Sequence, residues 1–121
     1  MSKTIEEYSL ADLMKKIEET LNGNSGPIEG LQATYQFDIT GDDVGTYQLQ
    51  FKDGKSAVKE GSVTPADCTL IMSLKSFHQF MLGKLNGTMA FMTGKLKIKG
   101  DMGKALKIES ILRQYNVKDS L

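Results

Sequence analysis

Apolar and polar positions change period several times along this chain, and each change marks an element. Leu31, Ala33, Tyr35, Phe37 and Ile39 alternate with Gln32, Thr34, Gln36 and Asp38. A period of two sends successive side chains to opposite faces, so this stretch is predicted to be a half-buried strand. Gly41-Asp42-Asp43 turns the chain, and Tyr47, Leu49 and Phe51 then alternate with Gln48, Gln50 and Lys52. Asp53-Gly54 is a two-residue hairpin signal leading into a third strand, Ser56 to Glu60, which completes an antiparallel meander. After Thr64-Pro65, the run from Cys68 to Leu74 is apolar on both parities at Leu70 and Ile71. That pattern predicts a strand inside the sheet, covered more completely than its neighbours.

Elsewhere the period is helical. Ser9 is placed to cap a helix running to about Leu21, whose Leu10, Leu13, Met14, Ile17 and Leu21 form a stripe roughly 100° wide, enough for one partner surface. Asn22 to Pro27 ends it in a loop. From Ser76, Phe77, Phe80 and Met81 recur at helical spacing up to Gly83, and a second short helix is predicted around Thr88 to Met92. Gly94 and Gly100 bracket Lys95-Leu96-Lys97-Ile98-Lys99, a strand with one apolar and one cationic face. Asp101 can cap a final helix carrying Met102, Ala105, Leu106, Ile108, Ile111, Leu112 and Tyr115. At about 100° per residue these seven cover an arc of roughly 220°, whereas a helix on one surface needs little more than 100°. The surplus must meet other helices, a second subunit or an apolar ligand.

Composition narrows the class. The chain has 121 residues, 40% hydrophobic and 25% charged, without a break that would divide it, so one domain spanning 1–121 is expected: an N-terminal helix at about 9–21, a core at about 31–115 and a tail at 116–121. Lys plus Arg and Asp plus Glu both total 15, and this balance points away from nucleic acid. The acids crowd the chain through Asp67, whereas Lys75, Lys84, Lys95, Lys97, Lys99, Lys104 and Lys107 are interrupted only by Asp101. Cys68 is the sole cysteine, which excludes an internal disulfide, and MSKTIEEYSL lacks the apolar core of a secretory signal. A cytoplasmic setting is expected. No apolar run approaches the roughly 18 residues of a membrane span.

Candidate chemistry is sparse, and no enzyme is expected. His78, the single histidine, has no cysteine or carboxylate at ligand spacing, so it reads as structural or exposed rather than catalytic or metal-binding. Cys68, inside a strand, reads as a core residue, and no nucleophilic triad can be assembled. Asp42 and Asp43 suit a turn better than a calcium loop. Gly83-Lys84, Gly94-Lys95 and Gly103-Lys104 do not complete a phosphate loop. No cofactor and no metal are therefore expected. The seven methionines suit either core filling or a pocket that takes ligands of varied shape.

With these residues laid out, the sequence resembles the sterol carrier protein-2 family over roughly Leu31 to Leu112. The resemblance is densest in Asp67-Cys68-Thr69, Phe80 to Leu85, and Ala90-Phe91-Met92-Thr93-Gly94-Lys95-Leu96-Lys97-Ile98-Lys99-Gly100-Asp101. It implies an α+β fold, a five-stranded, mostly antiparallel (mixed) sheet with helices on one face, enclosing an apolar tunnel for fatty acids, fatty acyl-CoA, sterols or phospholipids. Phe91 and Met92 fall on the family's paired apolar positions before Gly-Lys, and Met102, Ala105 and Leu106 on its tunnel-covering helix. Gly87 stands where the family often has Pro, which implies a looser tunnel mouth. Asp119-Ser120-Leu121 is a poor match to the peroxisomal tripeptide common among eukaryotic members.

The expected function is non-catalytic binding and transfer of lipid by a monomer. The expected lining is Phe77, Phe80, Met81, Leu85, Met89, Phe91 and Met92 from the helical segment, with Met102, Ala105, Leu106 and Tyr115 from the last helix. Lys95, Lys97 and Lys99 are candidates for contact with lipid head groups or an anionic membrane. Two alternatives stand beside this reading: an interaction or dimerisation module that uses the broad face of the last helix, and an accessory domain to a lipid-metabolising enzyme.

Overall fold

The computed structural model describes residues 4–41 and 43–115. Five strands form one sheet: β1 (Ala33–Thr40), β2 (Gly45–Lys52), β3 (Lys55–Glu60), β4 (Cys68–Ser73) and β5 (Leu96–Gly100). Their order across the sheet is β3-β2-β1-β4-β5. The β1–β2, β2–β3 and β4–β5 pairs are antiparallel and β1–β4 is parallel, so the sheet is mixed, as the resemblance implied. The meander turns at Asp53-Gly54, where both residues have positive φ (55° and 75°), as a tight hairpin of primed type requires. The tail at 116–121 lies outside the described residues.

Four α-helices lie on one face of the sheet: α1 (Leu10–Gly23), α2 (Leu74–Met81), α3 (Gly87–Met92) and α4 (Met102–Arg113). That face carries Ala33, Tyr35, Phe37 and Ile39 of β1, Tyr47, Leu49 and Phe51 of β2, and Cys68, Leu70 and Met72 of β4, all buried. The expected caps are present: Ser9 accepts from the Asp12 amide and Asp101 from the Lys104 amide. The α2 helix starts two residues earlier than its apolar spacing suggested, because Ser73 supplies the cap. The α1 helix lies over β2 and β3, and its side chains cover the β3 edge of the sheet. Glu18 accepts from the Val58 amide at 2.7 Å, and Asn22 exchanges bonds with the Ser56 amide and carbonyl at 2.8 and 2.9 Å. These bonds satisfy polar groups that an edge strand would otherwise expose for pairing.

The opposite face is polar, and the connection from β3 to β4 crosses it. Gln48 is fully buried there, bonded to the Thr64 carbonyl, the Thr64 hydroxyl and Gln36 at 2.7, 3.0 and 3.0 Å. Such cover does not extend over β4. Ile71 is only half-buried, in register with Lys97 of β5, and buried and half-buried positions alternate along β4 as they do along β1, so the expectation that β4 is covered more completely than its neighbours is corrected with respect to β1. Its doubled apolar parity reflects a strand inside the sheet with helices on one side only. Where β5 gives way to α4, Gly100 has φ 93°, and a Cβ there would come within 2.5 Å of the Asp67 carbonyl oxygen. The Asp101 amide donates to that same carbonyl at 3.1 Å. This close approach fixes where α4 begins over the end of the sheet.

Candidate functional site

The α2, α3 and α4 helices cover β1, β4 and β5, and between them lies an apolar pocket of about 210 Å³. Its floor is Leu70 of β4 with Leu96 and Ile98 of β5; its walls are Phe80 of α2, Gly87, Thr88 and Phe91 of α3, and Met102, Ala105, Leu106 and Glu109 of α4. The broad apolar arc of α4 is thereby divided. Ala105, Ile108, Ile111 and Leu112 are buried and span about 120° of the helix. Met102 and Leu106, on the adjoining side, face the pocket and remain 45% and 56% exposed.

Of the lining read from the sequence, Phe80, Phe91, Met102, Ala105 and Leu106 meet at this pocket. The structure places the others elsewhere. Phe77 is fully buried with its ring centroid 5.7 Å from that of Phe37, and Met81 is also buried in the core beneath α2. The reason is that α2 docks on β1 and β4 as well as shielding the pocket. Leu85 is half-buried against the same core. Tyr115 is buried beyond the end of α4, and its hydroxyl donates to the Asn24 carbonyl, tying α4 to the loop after α1. Met89 and Met92 are 62% and 78% exposed on the outer side of α3. Together with Phe91, Met102 and Leu106 they leave the described pocket surrounded by uncovered apolar side chains, since no other described element packs over them.

Leu70, Leu96, Ile98, Gly87, Thr88 and Glu109 were not in that reading. Leu96 and Ile98 carried a signal, because their alternation with lysine fixes an apolar face on β5, which leads directly into α4. Nothing local marked Glu109. Its carboxylate accepts a hydrogen bond from the Gly87 amide, 22 residues away in sequence, and the Arg113 guanidinium lies 3.8 Å from the same oxygen. Where the resemblance implied a looser mouth, Gly87 forms a bond between α3 and α4. It supplies an amide hydrogen that Pro would lack, and a Cβ at this position would clash with the Glu109 carboxylate.

Burial shifts the titratable groups near the sheet toward their neutral forms. Burial, reinforced by Asp101 and Asp67, pushes the Cys68 thiol up to about 11, so it is protonated near neutrality and poorly nucleophilic. Burial likewise raises Tyr35 to about 12, and its hydroxyl donates to the Lys104 carbonyl at 2.9 Å. Burial lowers the pKa of His78, an effect that Glu6 partly opposes; its Nε2 is buried without a hydrogen-bond partner among the described residues. No group of metal-ligating side chains occurs among the described residues. Lys97 and Lys99 are exposed on the face of β5 opposite Leu96 and Ile98, and Lys95 is exposed at its start.

A mixed sheet with helices on one face, holding an apolar pocket at the edge of the helical layer, defines an α+β domain with room for an apolar ligand. Residues 14–113 match the SCP-2 sterol transfer family, and the chain belongs to that family. It is 42% identical over 118 residues to a hydroxysteroid dehydrogenase-like protein 2 from Xenopus tropicalis, covering 97% of this chain and 28% of that protein. The chain thus spans about a quarter of the length of these curated relatives. Among solved structures, sterol carrier protein domain 2 of Helicoverpa armigera superposes with a TM-score of 0.74 at 30% identity, over 94% of this chain and 93% of that one. The apo form of sterol carrier protein 2 from Yarrowia lipolytica gives 0.69 at 31% identity, over 86% and 89%.

Proposed function

We propose that this domain carries a lipid by burying its hydrocarbon portion in the pocket between α3, α4 and β5, without altering it chemically. The observation that carries the proposal is the pocket itself: an apolar space floored by the sheet and surrounded by apolar side chains that no other described element covers. Its volume sets the energetics. At about 30 Å³ for a methylene, much like a water's share of the liquid, 210 Å³ holds about seven methylenes. Burying them contributes about 5–6 kcal/mol at about 0.8 each, close to the lower end of the 4–15 kcal/mol that association costs. Binding of useful strength needs a longer buried segment, so α3 must shift outward as ligand enters. Its six-residue length and exposed outer side suit that movement.

Fatty acids, acyl-CoA, sterols and phospholipids are the ligand classes to test. Displacement of a fluorescent acyl probe by unlabelled members of each class is the assay, and the absence of saturable binding by any of them would refute the proposal. Transfer at an anionic membrane fits the edge position of β5, whose lysines and pocket-lining residues could approach a bilayer side-on. The extent of the relatives favours a further reading: in a longer protein, this module serves as an accessory that holds lipid for a dehydrogenase-like portion.

A further inference from the structure

Among the described residues, one charged side chain lines the pocket, and it is an acceptor. Glu109 is 16% exposed at its side chain, set between the first turn of α3 and the middle of α4. Its Oε2 accepts from the Gly87 amide. Its Oε1 has no hydrogen-bond partner among the described residues, although an ionised carboxylate has about four acceptor positions in all. Arg113 does not reverse the local sign. Its Nη2 donates to the Leu85 carbonyl at 3.3 Å and stands 3.8 Å from Oε2, too far for a hydrogen bond, and the guanidinium does not itself line the pocket. Apart from Thr88, every other lining side chain is apolar or absent. Among the described residues, the polar end of the pocket therefore offers an unused anionic acceptor and no cationic donor in its lining.

We propose that Glu109 is a specificity-determining residue, which receives the hydroxyl of an uncharged lipid and turns away lipids ending in a carboxylate. A hydroxyl that donates to Oε1 gains a charge-assisted bond. A fatty-acid carboxylate at the same place brings like charges together beside an apolar wall, or must abandon the pocket's polar end altogether. Gly87 belongs to the device, since its amide holds the carboxylate in the wall of the pocket, and only a residue without a Cβ leaves room for it.

This inference rests on the carrier reading above, and the experiment separates the two. Hexadecanol and palmitate, matched in chain length, are titrated against a neutral fluorescent lipid probe bound to the full chain, at a pH where palmitate is ionised. The wild type should release the probe to hexadecanol at about a tenfold lower concentration than to palmitate. Glu109→Gln, which keeps an acceptor for the Gly87 amide while removing the charge, should bring the two close to parity. Equal potency on the wild type, or an unchanged ratio in the variant, overturns the role of Glu109 and leaves the carrier reading standing. Failure of both lipids to displace the probe overturns both readings, and failure of hexadecanol alone overturns the role of Glu109. Should the variant not fold, the wild-type ratio alone decides.

Discussion

Ala105→Trp tests the pocket directly. Ala105 is 5% exposed, on the buried side of α4, with its methyl facing the space between Leu70, Leu96 and Phe80. An indole there would take roughly half or more of the 210 Å³ and exclude about four methylenes of ligand. At about 0.8 kcal/mol each, this amounts to about 3 kcal/mol, or a loss of roughly 100-fold in affinity. The same ring enters existing space, so it should cost less than the 1–3 kcal/mol typical of overpacking a filled core. With about 4 °C of melting temperature for each kcal/mol in a chain of this size, the change should be a few degrees at most. Probe displacement and thermal unfolding on the same preparation provide the two readings. A melting temperature lower by about 10 °C, with normal binding by the fraction that remains folded, would show that Ala105 faces packed core.

Three further outcomes follow from particular contacts. Gly87→Ala should destabilise the fold by about 1–3 kcal/mol in urea denaturation, because the new Cβ displaces the Glu109 carboxylate and leaves the part-buried amide without its acceptor; a change within error would show that the bond contributes nothing. Folding holds His78 neutral below its ordinary value of 6.5, so the unfolded chain takes up the proton first and stability falls as pH drops below that value; His78→Gln should flatten the decline in melting temperature between about pH 7 and about pH 5, and an unchanged slope would remove His78 as its source. Replacing Lys95, Lys97 and Lys99 together by Gln should slow lipid transfer from anionic vesicles at low salt by up to about two decades, at about 1 kcal/mol for each lysine, while leaving affinity for a neutral lipid unchanged; equal transfer rates would reduce the stripe to a solubilising surface.

The strands and helices were legible in the sequence because each depends on local chemistry. Alternation of Tyr35, Phe37 and Ile39 with Gln36 and Asp38 specifies a half-buried strand whatever lies above it. Asp53-Gly54 specifies a tight turn through its backbone, and Ser9 and Asp101 cap helices through bonds only three residues long. The excess breadth of α4 was legible too, and with it the need for some occupant beyond the sheet. Periodicity shows which side chains share a face; it does not show what meets that face. Phe77, Met81 and Phe80 share one side of α2, yet only the docking of α2 on β1 and β4 commits the first two to the core and leaves Phe80 at the pocket. Nothing local in the sequence marks Glu109 or joins it to Gly87. Their bond exists because the sheet sets α3 beside α4, and that meeting places a carboxylate in the wall of an apolar pocket.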